Sequence, residues 1–284
     1  MEQVFSILTD DKVRLDSLVV GNEEAQQLII FLHGGPGSGY RPLREIEAFL
    51  QLEKDYLCLY FDQRGAGNSY FPATEKFSKE RLIADVLEVI HFAKKLFAKK
   101  EIWLFGGSFG GNLALQTIKA APTCVKGLLL SCPAVFFSKA EGRAFFKKGQ
   151  QQYMNRLFAE EKQRFAQMLE LSPQDFFAQP AIREYILSEE NQSKSLHYTY
   201  QMSDWFFDAD LAGVFDSVQI PLCIIQGVLD SICSQEKLSA QLVKEQNSLI
   251  DYHALADCGH GPFSEAPDTF LQIYNTFIKE HTSC

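Results

Sequence analysis

Residues 101–115 read Glu101-Ile102-Trp103-Leu104-Phe105-Gly106-Gly107-Ser108-Phe109-Gly110-Gly111-Asn112-Leu113-Ala114-Leu115. The run from Ile102 to Phe105 is continuously apolar, as a strand covered on both faces requires. From Asn112 to Ala121 apolar residues recur at helical spacing, and Pro122 closes the segment. Between strand and helix stands Gly106-x-Ser108-x-Gly110, a nucleophile-elbow pattern. A chain turning that sharply strains the serine backbone, so its neighbours must be nearly bare. The turn pushes the Ser108 hydroxyl out of the sheet. It also leaves the Phe109 N–H at a helix N-terminus, where it can meet a developing negative oxygen.

Outward from this stretch, apolar strands and amphipathic helices alternate. Residues 3–20 read as a hairpin around Asp10-Asp11, and 27–32 and 55–61 as strands. Helical spacing covers 40–52 and 79–98, the second with Leu82, Val86, Val89, Ile90, Ala93 and Phe97 on one stripe. Strands follow at 125–131, 220–226 and 249–254, with helices at 235–244 and 267–280. The alternation predicts an α/β fold with a mostly parallel sheet flanked by helices. It breaks after Pro133. Residues 134–216 show no strand pattern, carry a helical stretch over 159–171, and are rich in aromatics such as Phe136, Phe145, Phe146, Tyr198 and Phe207. The expected organisation is a core of residues 1–133 and 217–284 with an inserted helical cap, 134–216, that partly lines an apolar pocket.

Composition narrows the partners. The chain has 284 residues, 46% of them hydrophobic, and a net charge of −9. That balance argues against nucleic acid and against an anionic membrane surface. No stretch approaches a membrane span, and no basic start leads into a long apolar run, so a soluble, cytoplasmic protein is expected. The seven cysteines are odd in number, irregularly spaced and without C-x-x-C, which predicts reduced thiols and no metal site. The oligomeric state is open.

Three residues with complementary chemistry end predicted strands: Ser108, Asp230 and His260. In an open parallel sheet those ends share one edge, where ligands bind. A neutral serine needs an imidazole to take its proton and a carboxylate to hold that imidazole in the right tautomer. Asp216, Asp251 and Asp257 are rival acids, but Asp230 follows a strand directly. For the carbonyl oxygen, the amides of Phe109 and Gly35 are the expected oxyanion donors. Gly35 belongs to the turn His33-Gly34-Gly35-Pro36-Gly37, where His33 is expected to brace rather than titrate.

Three motifs together, His-Gly-Gly-Pro-Gly at 33–37, Asp-Gln-Arg-Gly-x-Gly-x-Ser at 62–69 and Gly-Gly-Ser-x-Gly-Gly at 106–111, resemble the proline iminopeptidase family of α/β-hydrolases. The resemblance spans nearly the whole catalytic core. It implies the α/β-hydrolase fold and a serine hydrolase without cofactor that releases an N-terminal residue, preferably proline, from short peptides. Ser108, Asp230 and His260 would form its triad. The chain departs from that family in having Phe109 after the serine and Ser231 after the acid, and in lacking a cap motif of the Glu-Asn-His-Tyr-Phe kind. An exopeptidase needs a carboxylate for the substrate's amine, because burying that charge unpaired is costly. Glu141, Glu184, Asp204, Asp208 and Asp210 are the candidates. Asp204 is favoured, with Trp205 beside it as an apolar pocket wall. The same triad would also serve an esterase, lactonase or amidase acting on a small apolar acyl group. A non-catalytic ligand-binding homologue would usually have lost one of the three residues.

Overall fold

The computed structural model describes residues 1–154, 163, 166–168, 170–188 and 194–282. Its strands are β1 (Glu2–Leu8), β2 (Arg14–Gly21), β3 (Gln27–Leu32), β4 (Leu57–Phe61), β5 (Glu101–Gly107), β6 (Gly127–Ser131), β7 (Leu222–Gly227) and β8 (Ile250–Leu255). They form one eight-stranded sheet in the order β1-β2-β4-β3-β5-β6-β7-β8. β1 and β2 form the expected antiparallel hairpin, with Ile7 opposite Leu15, and β2 pairs antiparallel with β4. Every pairing from β4 across to β8 is parallel.

The apolar runs sit where helices cover both faces. β4, β6 and β7 are buried at every position, whereas β8, at the edge, is only partly covered. Successive side chains along a strand point to opposite faces. Thus Ile102 and Leu104 join the apolar cluster under α2 (Lys79–Leu96) and α3 (Phe109–Ala120). Trp103 and Phe105 join the cluster that buries Phe49 of α1 (Glu47–Asp55) and Phe270 and Tyr274 near the C-terminus.

One expected helix divides. Residues 40–52 form a 3-10 turn, Arg41–Glu45, and then α1; Ile46 between them is extended, with φ −97° and ψ 120°. Packing of Leu43 and Ile46 against the buried cluster outweighs helical continuity there.

Among the described residues, 134–216 contain no strand. They form α4 (Lys139–Met154), α5 (Pro173–Ala178), α6 (Pro180–Leu187) and α7 (Lys194–Gln201), with 3-10 turns at Ala166–Met168 and Phe206–Asp208. The helix expected over 159–171 lies largely outside the described residues. Most aromatics here pack on one another: Phe146 meets Phe176, Phe177 and Phe207. The segment also docks on the elbow, where the Phe109 ring lies edge-on to Tyr198 and Phe206. The chain continues through α8 (Gln235–Lys244), α9 (Pro262–Glu265) and α10 (Pro267–His281). Among the described residues, six cysteines are free thiols, and no helix is long and apolar enough to cross a membrane.

Candidate active site

Ser108 has φ 52° and ψ −119°, a strained conformation for a residue with a side chain. The glycines around it are sterically required. A Cβ on Gly106 would lie 2.5 Å from the Gly110 carbonyl oxygen, and one on Gly110 would lie 2.0 Å from that of Leu32. Two hydrogen bonds pin the turn to the next strand: the Ser108 N–H donates to Ser131 O at 3.0 Å, and Ser108 O accepts from Ala134 N–H at 2.9 Å.

His260 and Asp230 meet across the ends of β8 and β7. His260 Nδ1 is 2.8 Å from Asp230 Oδ2. A carboxylate facing Nδ1 holds the proton there and leaves Nε2 as an acceptor. The contact needs Gly227 bare, since a Cβ there would fall 1.9 Å from Gly259 O. Asp230 Oδ1 accepts from the amides of Ile232 and Cys233, and Oδ2 also accepts from Gln226 Nε2. Burial pushes the Asp230 carboxyl up, but the bonds from His260 and the two amides outweigh it and hold the group below its ordinary value. The rival acids lie elsewhere: Asp251 is exposed and bonded to His253, and Asp216 and Asp257 are exposed.

Two further residues hold this pair, and neither stood out in the sequence. Glu265 accepts from the amides of both Gly259 and Gly261, so its carboxylate clasps the loop that carries His260. Cys132, itself at φ 44°, accepts from the Gly227 N–H and points its thiol at Gly259 O, tying the ends of β6 and β7 to that loop. An acidic residue five positions beyond the histidine was the available signal for Glu265; Cys132 had none beyond its place at a strand end.

The turn at 33–37 packs against the elbow. A Cβ on Gly34 would lie 3.3 Å from Ser108 Cβ, and Gly35 takes φ 116°. The buried His33 ring braces it: Nδ1 is 3.0 Å from Gly34 O, and Nε2 accepts from Gln63 N–H. Burial lowers His33 to about 4, so the ring is neutral in this role. Gln63 donates to His33 O and accepts from the Tyr198 hydroxyl, which joins the turn to α7. Among the described residues, neither Gly35 N–H nor Phe109 N–H is taken by a protein acceptor. The rest of the second motif is scaffolding. Asp62 accepts from the amides of Tyr40 and Asn68, and Arg64 bonds both Asp85 and Asp11.

A cleft of about 180 Å³ lies between α4 and the start of α8; Ala134 and Cys233 are in its lining, whereas Ser108, Asp230 and His260 are not. Phe136, Phe145 and Leu238 form apolar walls, and Glu141, Lys148 and Lys237 are its charged residues. Asp204 and Trp205 are not in its lining. The Asp204 carboxylate is exposed and pairs with Lys76 Nζ at 2.6 Å. Trp205 donates through Nε1 to Phe77 O and stacks edge-on to Phe206, which makes it an anchor of its own segment. Asp208 is likewise engaged, by Arg143. Of the five acids considered from sequence, Glu141 lines the cleft.

Among the described residues, two groupings bring potential metal ligands within 4.8 Å of one another: Cys132 with Asp230 and His260, and Cys223 with Asp251 and His253. Burial raises both thiols above their ordinary value, which opposes the thiolate form a metal needs. In the first grouping the His260 nitrogen and the carboxylate already serve each other.

The sequence pattern of the alpha/beta hydrolase fold matches residues 27–267. A proline iminopeptidase from Thermoplasma volcanium is 34% identical over 110 residues, 39% of this chain and 35% of that protein. One from Neisseria gonorrhoeae is 30% identical over 138 residues, 48% of this chain and 41% of that protein. The chain thus spans well under half the length of these two relatives. A third, from Lactobacillus crispatus, aligns over 93% of this chain and 94% of its own length at 21% identity. Among solved structures, an esterase from Exiguobacterium antarcticum superposes with a TM-score of 0.69 at 21% identity, covering 98% of this chain and 100% of its own. A Pyrococcus furiosus esterase gives 0.71 at 17% identity, covering 100% and 92%. At these identities the likeness is one of fold.

Proposed function

The chain belongs to the alpha/beta hydrolase family, and from that premise we propose that it is a serine hydrolase that cleaves ester or amide bonds through an acyl-enzyme on Ser108. The observations that carry this reading are a strained serine at φ 52° on an elbow that ends β5, and a histidine past the end of β8 bonded at 2.8 Å to a buried carboxylate that follows β7. Ser108 Oγ attacks the substrate carbonyl while His260 Nε2 takes its proton. Asp230 keeps the imidazole in the productive tautomer and stabilises the imidazolium. The Gly35 and Phe109 amides receive the oxyanion, and His260 then protonates the leaving group. Water repeats the sequence to free the acid. Residues 134–216 act as a cap over this edge of the sheet and line the acyl pocket together with α8. The apolar walls of that pocket suit the chain of a small acyl group, as in an ester or amide substrate.

A second reading is release of an N-terminal residue, preferably proline, from short peptides. It is favoured by the relatives named proline iminopeptidase. One assay separates the two. The purified protein is given short-chain esters and a prolyl amide whose imino group is either free or acetylated. Faster cleavage of the esters and of the acetylated amide supports the first reading. Rapid cleavage of the free prolyl amide, lost by orders of magnitude on acetylation, supports the second. No turnover above that of Ser108→Ala on any of them would sink the hydrolase assignment.

A further inference from the structure

The charges of the cleft between α4 and α8 are unbalanced. Lys148 and Lys237 face one acid, Glu141. Glu141 is itself occupied: Oε2 accepts from the Phe137 N–H at 2.8 Å, and Oε1 lies 3.6 Å from Lys237 Nζ. Lys148 Nζ donates to the Ser231 carbonyl, and among the described residues no carboxylate pairs with it. An ammonium held by a neutral carbonyl keeps its full charge available to a ligand. The cleft therefore has apolar walls and an excess positive charge, the reverse of what a substrate amine needs.

Its position relates that charge to the reaction. Two of its lining residues touch the triad: the Ala134 N–H is bonded to Ser108 O, and the Cys233 N–H to Asp230 Oδ1.

We propose that this cleft selects substrates whose acyl chain ends in a carboxylate, such as hemi-esters of short dicarboxylic acids, with Lys148 as the main counter-charge and Lys237 sharing the role. The inference rests on the acyl-enzyme reading above. The net charge of −9 does not oppose it at contact range, because charges more than about 8 Å away are screened at physiological ionic strength. Since both lysines are exposed, the gain is modest, about two- to fivefold in kcat/KM.

The experiment compares monomethyl glutarate with methyl pentanoate, two methyl esters of equal acyl length, by methanol release. The expected result is a higher kcat/KM for the glutarate ester by about two- to fivefold at low ionic strength. That preference should shrink with added salt in the wild-type protein, and Lys148→Met or Lys237→Met should bring it toward unity. Equal or faster turnover of methyl pentanoate overturns this proposal alone, as does a glutarate preference that survives both substitutions and salt. Turnover of neither ester above the Ser108→Ala background overturns the acyl-enzyme reading and this proposal with it.

Discussion

Ser108 bears backbone strain that only its surroundings can hold, because a side chain at φ 52° is disfavoured on its own. Replacing it with alanine keeps the backbone and removes the nucleophile. Ser108→Ala should lower turnover by on the order of a millionfold while far-UV circular dichroism stays unchanged. Asp230→Asn should cost about 10⁴ in kcat, since the amide would favour the wrong histidine tautomer. A silent Asp230→Asn alongside a crippling Asp257→Asn would show that the acid had been misassigned. His33 makes a prediction about stability. Its ring titrates near 6.5 when unfolded and near 4 when buried. Between those values the unfolded chain binds the extra proton, so stability falls as pH drops from 6.5 toward 4 and is flat in this respect above 6.5. The loss from this group alone should be about 2 kcal/mol at pH 5. Urea unfolding at pH 7.5 and pH 5 measures it, and His33→Asn should flatten that part of the slope.

At the scale of elements, the elbow works because α3 lies against the end of β3. Gly110 is the contact: a Cβ there would meet the Leu32 carbonyl oxygen at 2.0 Å, and backbone cannot move aside cheaply. Gly110→Ala should therefore destabilise by about 3 kcal/mol or more in urea unfolding. Gly149→Ala in α4 is the control. A Cβ there meets nothing within 4 Å, so helix propensity should make it neutral or stabilising by up to about 1 kcal/mol. Equal costs for the two would remove the steric account of the elbow. Periodicity and caps agree at α2 and α8: Ser78 caps α2 through the Arg81 N–H, and Ser234 caps α8 through the Lys237 N–H. At 40–52 they part, where Ile46 turns extended to pack with its cluster although the local pattern is helical.

At the scale of the molecule, Arg64 joins three parts of the chain. Its guanidinium, 1% exposed, bonds Asp85 of α2 at 2.7 Å through two nitrogens and Asp11 of the hairpin turn at 2.8 and 2.9 Å. Removing it strands the buried Asp85 carboxylate, which among the described residues keeps only Arg81, at 3.2 Å. Arg64→Met should cost about 3 kcal/mol, and adding Asp85→Leu should return a large part of that. Denaturant midpoints of the two single variants and the double variant test the coupling; simple additivity would contradict it.

What the sequence determined by itself was written in near neighbours. Apolar runs and helical stripes gave the order of elements, the glycines about Ser108 gave the elbow, and the residues ending each strand gave Ser108, Asp230 and His260 as candidates. These signals are steric and periodic, so a few adjacent positions suffice to carry them. Charge pairing was left to the tertiary structure, because it depends on which distant side chains packing brings within a few ångströms. Packing put Asp230 rather than Asp251 or Asp257 at the His260 ring, and brought Cys132 to a loop 127 residues away. It also set Lys76 on Asp204 across 128 residues. No local pattern around Asp204 could have foretold that pairing.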